Sequence, residues 1–236
     1  MNPCMRTFIC VTVFVAVLTA GCDGRGSRDG LLRDADGNAY VLKEMLDGRT
    51  WMTDNLNFAR PDSYCYGGLA SECLRFGRLY TWASAAEACR LLGTEWRLPT
   101  DDEWREMAKG YGGVRGDSEN DGQAAYTALL RGGVSGFNAL LGGGRELGGN
   151  YARVEEHGFY WTATEYDMEH AWFYNFGRGA GLLNRHSGGD KSMALAVRCI
   201  NASWPQLDPW VLGPGWVAGH PHSRHRFQQV PGRREG

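Results

Sequence analysis

Apolar positions along this chain follow two different rhythms. Between residues 31 and 57 they fall in short runs, Leu31-Leu32, Tyr40 to Leu46 and Thr50 to Thr53, separated by Asp36-Gly37 and Asp47-Gly48. Asp-Gly tolerates the positive φ of a tight turn, so this segment reads as strand, turn, strand. The same spacing returns after Gly158 in Phe159 to Thr164, Ala171 to Phe176 and Met193 to Ile200, with a weaker run at Leu182 to His186. Aromatic side chains there suit a pleated surface, and the turn spacing predicts an antiparallel meander. Between the two regions the period lengthens. Trp82, Ala85, Ala86, Cys89 and Leu92 share one helical face, with Thr81 ahead as a capping hydroxyl and Gly93 behind as a terminator.

A second helix begins inside Trp96-Arg97-Leu98-Pro99-Thr100-Asp101-Asp102-Glu103-Trp104. Proline pushes Leu98 into extended backbone. Thr100 then offers a hydroxyl to the new helix and Glu103 reaches back, the pattern of a capping box. Asp101, Asp102 and Glu103 place negative charge on the positive helix end. Trp104, Met107 and Ala108 give it a buried stripe, and Gly110 ends it. Residues 55–71 read as a polar loop, and Gly112 to Asn150 as a long glycine-rich one, interrupted by Tyr126 to Leu130 and Phe137 to Leu141. The pattern therefore predicts an α+β, loop-rich fold with two short helices packed on antiparallel strands.

The two ends differ from the middle. Arg6 precedes an uncharged apolar run, Thr7 to Leu18, and Thr19-Ala20-Gly21 supplies small residues before Cys22. That is an export signal, shorter than a membrane span requires. With cysteine directly after the small residues it resembles a bacterial lipoprotein signal, which implies that Cys22 is acylated, with a palmitate-type anchor, and becomes the mature N-terminus. The organisation expected is a signal over 1–21, a tether over 22–30, one domain over 31–202 and a proline- and glycine-rich tail over 203–236. Three tail histidines, His220, His222 and His225, have no framework to fix them around a metal. Nine tryptophans beside 34 glycines suit short strands and loops better than a helix bundle. A formal net charge of −2 gives no reason to expect a nucleic-acid partner.

Seven cysteines become four once Cys4 and Cys10 are assigned to the signal and Cys22 to the lipid. Cys65, Cys73, Cys89 and Cys199 in an exported chain point to two disulfides, for which three pairings exist. We favour Cys65–Cys73 as a local staple and Cys89–Cys199 as a tie between an early helix and the last strand. Loop-closure entropy puts these at about 2.5 and about 5 kcal/mol respectively. No Cys-x-x-Cys pair supports a metal site, and no cofactor is expected.

Other constellations have plainer explanations. Asp34-Ala35-Asp36-Gly37-Asn38 lacks the third acidic position and the closing glutamate of a calcium loop, and reads as a turn. Asp101, Asp102 and Glu103 are accounted for by capping, and adjacent helical positions do not face one another across a substrate. Glu155, Glu156, His157 and Glu165 read as polar residues around a strand. Gly142-Gly143-Gly144 is followed by no Gly-Lys-Ser/Thr and is not a phosphate loop.

Several motifs come in an order with a family look: Asp34 to Tyr40, Trp51-Met52-Thr53-Asp54-Asn55-Leu56-Asn57, Gly77-Arg78-Leu79-Tyr80-Thr81-Trp82, Trp96 to Trp104, Tyr160 to Glu165, and Ala196-Val197-Arg198-Cys199. Together they resemble the Fibrobacter succinogenes major paralogous domain, a family of exported bacterial proteins similar to C-type-lectin-like folds. The resemblance implies a C-type-lectin-like domain and, from that fold's pairing of a helix cysteine with one in the final strand, Cys89–Cys199. The calcium motifs of sugar-binding C-type lectins do not occur in this sequence. The expected role is non-catalytic binding or adhesion at the cell envelope, with a glycan or an envelope or extracellular protein as partner and the membrane reached through the lipid. Trp172 and Tyr174, beside the glycine-rich 112–150 loop, are the candidate ligand surface, because such rings stack on sugars and peptide side chains. Arg-Leu-Pro-Thr-x-x-Glu-Trp also resembles formylglycine-generating sulfatase-modifying enzymes, so an enzyme is the first alternative. A purely structural envelope protein is the second.

Overall fold

The computed structural model describes residues 30–118 and 120–201. The signal, Cys22, nearly all of the tether, and residues 202–236 lie outside the described residues.

Both Asp-Gly turns form as the sequence predicts. β1 (Gly30–Arg33) pairs with β2 (Ala39–Glu44), and β2 with β3 (Thr50–Met52), all antiparallel. Asp34 makes the first turn by accepting the backbone N–H groups of Asp36 and Asn38 at 2.9 and 3.0 Å, and the Tyr40 hydroxyl donates to its other oxygen. Two late pieces complete this sheet: β6 (Trp96–Arg97) at its edge, and β12 (Ile200–Asn201) between β3 and β6. A small ribbon joins β4 (Ser63–Tyr64) to β5 (Leu79–Tyr80). The second five-stranded sheet has the order β11-β10-β9-β7-β8, built from β7 (Gly142–Arg145), β8 (Tyr151–Val154), β9 (His157–Glu165), β10 (His170–Gly177) and β11 (Leu182–Asp190).

Among the described residues four α-helices accompany the sheets, not two: α1 (Ala70–Phe76), α2 (Trp82–Arg90), α3 (Asp101–Lys109) and α4 (Gln123–Leu129). The two expected ones are α2 and α3. Each of the others is only seven residues long. That is two turns, too short to establish a hydrophobic period. Thr81 precedes α2 as expected, but its hydroxyl accepts no capping hydrogen bond.

The glycine-rich segment is the largest departure. It contains α4, and Gly142-Gly143-Gly144 is a strand that runs between β8 and β9. At Gly143, φ is +64° and a Cβ would stand 2.5 Å from the Ala152 carbonyl oxygen. Glycine is needed there because neighbouring backbone crowds in, which a propensity scale reads as loop. The weak run at Leu182 becomes a nine-residue strand. Glycine is needed at position 189 of this strand, since a Cβ there would meet the Trp161 and Phe173 rings at 2.6 and 2.7 Å. Met193 to Ile200, expected as a strand, is instead a buried connector. It makes single bridges, Arg145↔Ala194, Tyr80↔Leu195 and Tyr160↔Ala196, before Ile200 enters the first sheet.

Trp104 of α3 sits at the centre of the core with no exposure. Its ring lies 5.1 Å from Trp51, 5.5 Å from Phe137 and 5.6 Å from Tyr160, and stacks on Tyr174 at 4.9 Å. Beside this cluster Arg198 is fully buried. Its guanidinium donates to Asn55 Oδ1 at 2.7 Å and to the carbonyls of Phe137 and Asn138 at 2.9 and 2.8 Å, with the Phe137 ring 4.8 Å away. Disulfides Cys65–Cys73 and Cys89–Cys199 both form. Among the described residues no helix is long and apolar enough to cross a membrane.

Candidate functional site

The start of α3 is fixed by the predicted box. The Glu103 N–H donates to Thr100 Oγ1 at 3.2 Å, and the Thr100 N–H donates to Glu103 Oε2 at 2.8 Å. Glu103 also receives two hydrogen bonds from Arg97, at 2.7 and 2.5 Å, and lies 3.3 Å from Arg49. Burial pushes its carboxyl up, but the Arg97 and Thr100 hydrogen bonds outweigh this and hold it below the ordinary range. Asp101 faces the other way. Its N–H donates to Thr164 Oγ1 at 2.9 Å, and its carboxylate takes a two-pronged contact from Arg185 on β11. The acidic run therefore serves two separate arginine clamps, while Asp102 faces solvent.

From the Asp101 clamp outward the side chains form a ladder. The Arg185 guanidinium lies 3.5 Å from the centre of the Trp172 ring, and Tyr166 meets Trp172 edge to face at 5.8 Å. A β-bulge between Ala171 and Phe173 breaks the register at Trp172. Such a bulge re-aims one side chain. Trp172 is half-buried, and Tyr166 is 59% exposed at the hairpin joining β9 to β10. Met168, at the tip, is 93% exposed.

This hairpin is tied down. The Lys191 ammonium donates to Glu165 Oε2 at 2.6 Å and to the carbonyls of Asp167 and Met168 at 2.8 and 3.0 Å, while standing 4.8 Å from the Trp82 ring. Asp167 Oδ1 accepts the N–H groups of Glu169 and His170, both at 2.8 Å, and these bonds hold its carboxyl below the usual value. The result is an aromatic and arginine platform, partly exposed and pinned by these contacts. Next to it, Asp102, Arg105, Glu106, Lys109 and Asp117 line an open cleft of about 550 Å³.

Of the two residues expected on the ligand surface, Trp172 is there and Tyr174 is not. Tyr174 is fully buried on Trp104, and its hydroxyl donates to Asp101. Strand alternation explains the pair, since both start on one face, but α3 covers only the inner position. Tyr166, Met168, Arg185 and Lys191 were not singled out from the sequence. Exposure in a tight turn and a cross-strand arginine leave no periodic mark. The Glu155, Glu156, His157, Glu165 constellation disperses: Glu155 pairs with Arg75, Glu165 with Lys191, and His157 with Asn175. Among the described residues no three His, Cys, Asp or Glu side chains cluster as a metal site would need.

A mixed α+β domain of mostly short strands, with an aromatic and arginine surface held by its own salt bridges, is the class this geometry defines. The family description "Fibrobacter succinogenes major domain" matches residues 45–201 of the 236, and the chain belongs to that family. No curated protein and no solved structure matches it.

Proposed function

We propose that this protein is an exported, lipid-anchored envelope protein whose domain, of C-type-lectin-like architecture, binds an external glycan or protein without catalysing a reaction on it. The observation that carries this reading is the platform Tyr166–Trp172–Arg185. Aromatic faces and a guanidinium suit sugar rings and peptide side chains. Because Lys191 and Asp101 hold the platform in place, little ordering entropy remains to be lost on contact. An acyl chain on Cys22 would display that surface near the membrane.

The test is a glycan array together with a pull-down against envelope proteins, using the parent protein and Tyr166→Ala/Trp172→Ala. Retention by the parent and loss in the double variant, with unchanged circular dichroism, supports the proposal. Silence of the folded parent in both assays refutes it and favours a purely structural role. The formylglycine-type alternative would require a pair of free thiols. Both disulfides use the four domain cysteines, which speaks against it, and a thiol titration of the oxidised protein that finds two free cysteines would restore it.

A further inference from the structure

We propose that Cys65–Cys73 is a thiol-exchange site, opened by a dithiol reductant under conditions that leave Cys89–Cys199 closed. Three observations support this. The first is access: Cys65 is half-buried and covers a buried Cys73, so one sulfur of the pair can be approached, whereas Cys89 and Cys199 are both fully buried. The second is charge. Arg78 Nη1 stands 3.7 Å from the sulfur of Cys65 and 3.7 Å from that of Cys73. Ser63 fixes the guanidinium, accepting from Nε at 2.9 Å and from Nη2 at 3.2 Å. Among the described residues no carboxylate forms an ion pair with Arg78, so its charge is turned toward the sulfurs. A nearby guanidinium stabilises thiolate, and a better-stabilised thiolate leaves faster in exchange. The third is locality. The bond spans eight residues against 110 for the other, so opening it frees one short segment rather than the fold.

The chemistry balances. A thiolate of the dithiol attacks Cys65 Sγ, a mixed disulfide forms, and Cys73 departs as thiolate beside Arg78. The second thiol of the reductant then displaces Cys65 and closes to a cyclic disulfide. Two electrons pass to the protein, and protons from the dithiol and solvent complete the two thiols. The released segment carries Tyr66, whose ring lies 5.2 Å from Tyr151, and it adjoins Tyr64 of β4, whose ring lies 4.2 Å from the Arg145 guanidinium. Exchange would therefore loosen a second aromatic patch, remote in sequence from Trp172.

The oxidised full chain is incubated with dithiothreitol at neutral pH, sampled with iodoacetamide and mapped by mass spectrometry. Cys65 and Cys73 should label at least tenfold faster than Cys89 and Cys199. Arg78→Gln should slow opening by roughly threefold or more, while Arg78→Lys, which keeps the charge, should stay near the parent rate. Equal rates for the two disulfides, or Arg78→Gln opening as fast as the parent, would overturn the proposal. Should Arg78→Gln unfold, salt dependence in the parent decides. Opening that slows as ionic strength rises supports the charge argument, and an indifferent rate refutes it.

Discussion

Arg198 offers the sharpest test of how this core is held. Arg198→Met keeps an unbranched stem of similar length and removes the guanidinium. In the native protein that group is fully buried, and its bonds go to Asn55 Oδ1 and to the Phe137 and Asn138 carbonyls at 2.7 to 2.9 Å, with a longer one to the Met52 carbonyl at 3.3 Å. Among the described residues no carboxylate hydrogen-bonds to it, so the cation is desolvated for the sake of neutral acceptors, and burial pulls its pKa below the ordinary arginine value. Each buried acceptor left without a donor costs about 1–3 kcal/mol. The three close acceptors give about 3–9 kcal/mol, offset in part because methionine carries no charge to desolvate. We expect a net loss of about 3–5 kcal/mol. With a urea m-value of about 2 kcal/mol/M, the unfolding midpoint should fall by about 1.5–2.5 M. Urea titration followed by tryptophan fluorescence measures this directly. A loss under about 1 kcal/mol at unchanged m would show that the carbonyls find water or other donors, and the reasoning would fail.

Three further perturbations follow from the same contacts. Cys89→Ala/Cys199→Ala should cost about 5 kcal/mol and Cys65→Ala/Cys73→Ala about 2.5, compared by urea unfolding; equal costs would contradict the loop-length argument. Glu103 has its folded pKa held below 4.5, so its stabilisation is complete above that value and is lost as pH falls through the folded pKa. The parent should therefore lose stability as pH falls below 4.5 more steeply than Glu103→Gln; parallel curves would count against the Arg97 clamp. Lys191→Met removes the ammonium from Glu165 and two carbonyls, so amide exchange over residues 166–169 should rise by about tenfold or more, and protection equal to the parent would show that the tip is held by other means.

The sequence alone determined what rests on short-range rules. The two Asp-Gly turns, the Thr100–Glu103 box and the stripe Trp104, Met107, Ala108 are local, because the groups that satisfy one another lie within four residues or one helical period. Its ordered motifs also pointed to the family. Tertiary structure alone decided what depends on residues brought together from afar. Gly142–Gly144 is a strand because the backbone of β8 and β9 flanks it, and Met193 to Ile200 is a connector because it passes between two sheets. The candidate site divides along the same line. Trp172 was readable as an aromatic strand residue, yet its exposure and the burial of Tyr174 depend on a bulge and on where α3 lies. Arg185 joins Trp172 to Asp101 across 84 residues of chain, a contact that no local pattern encodes.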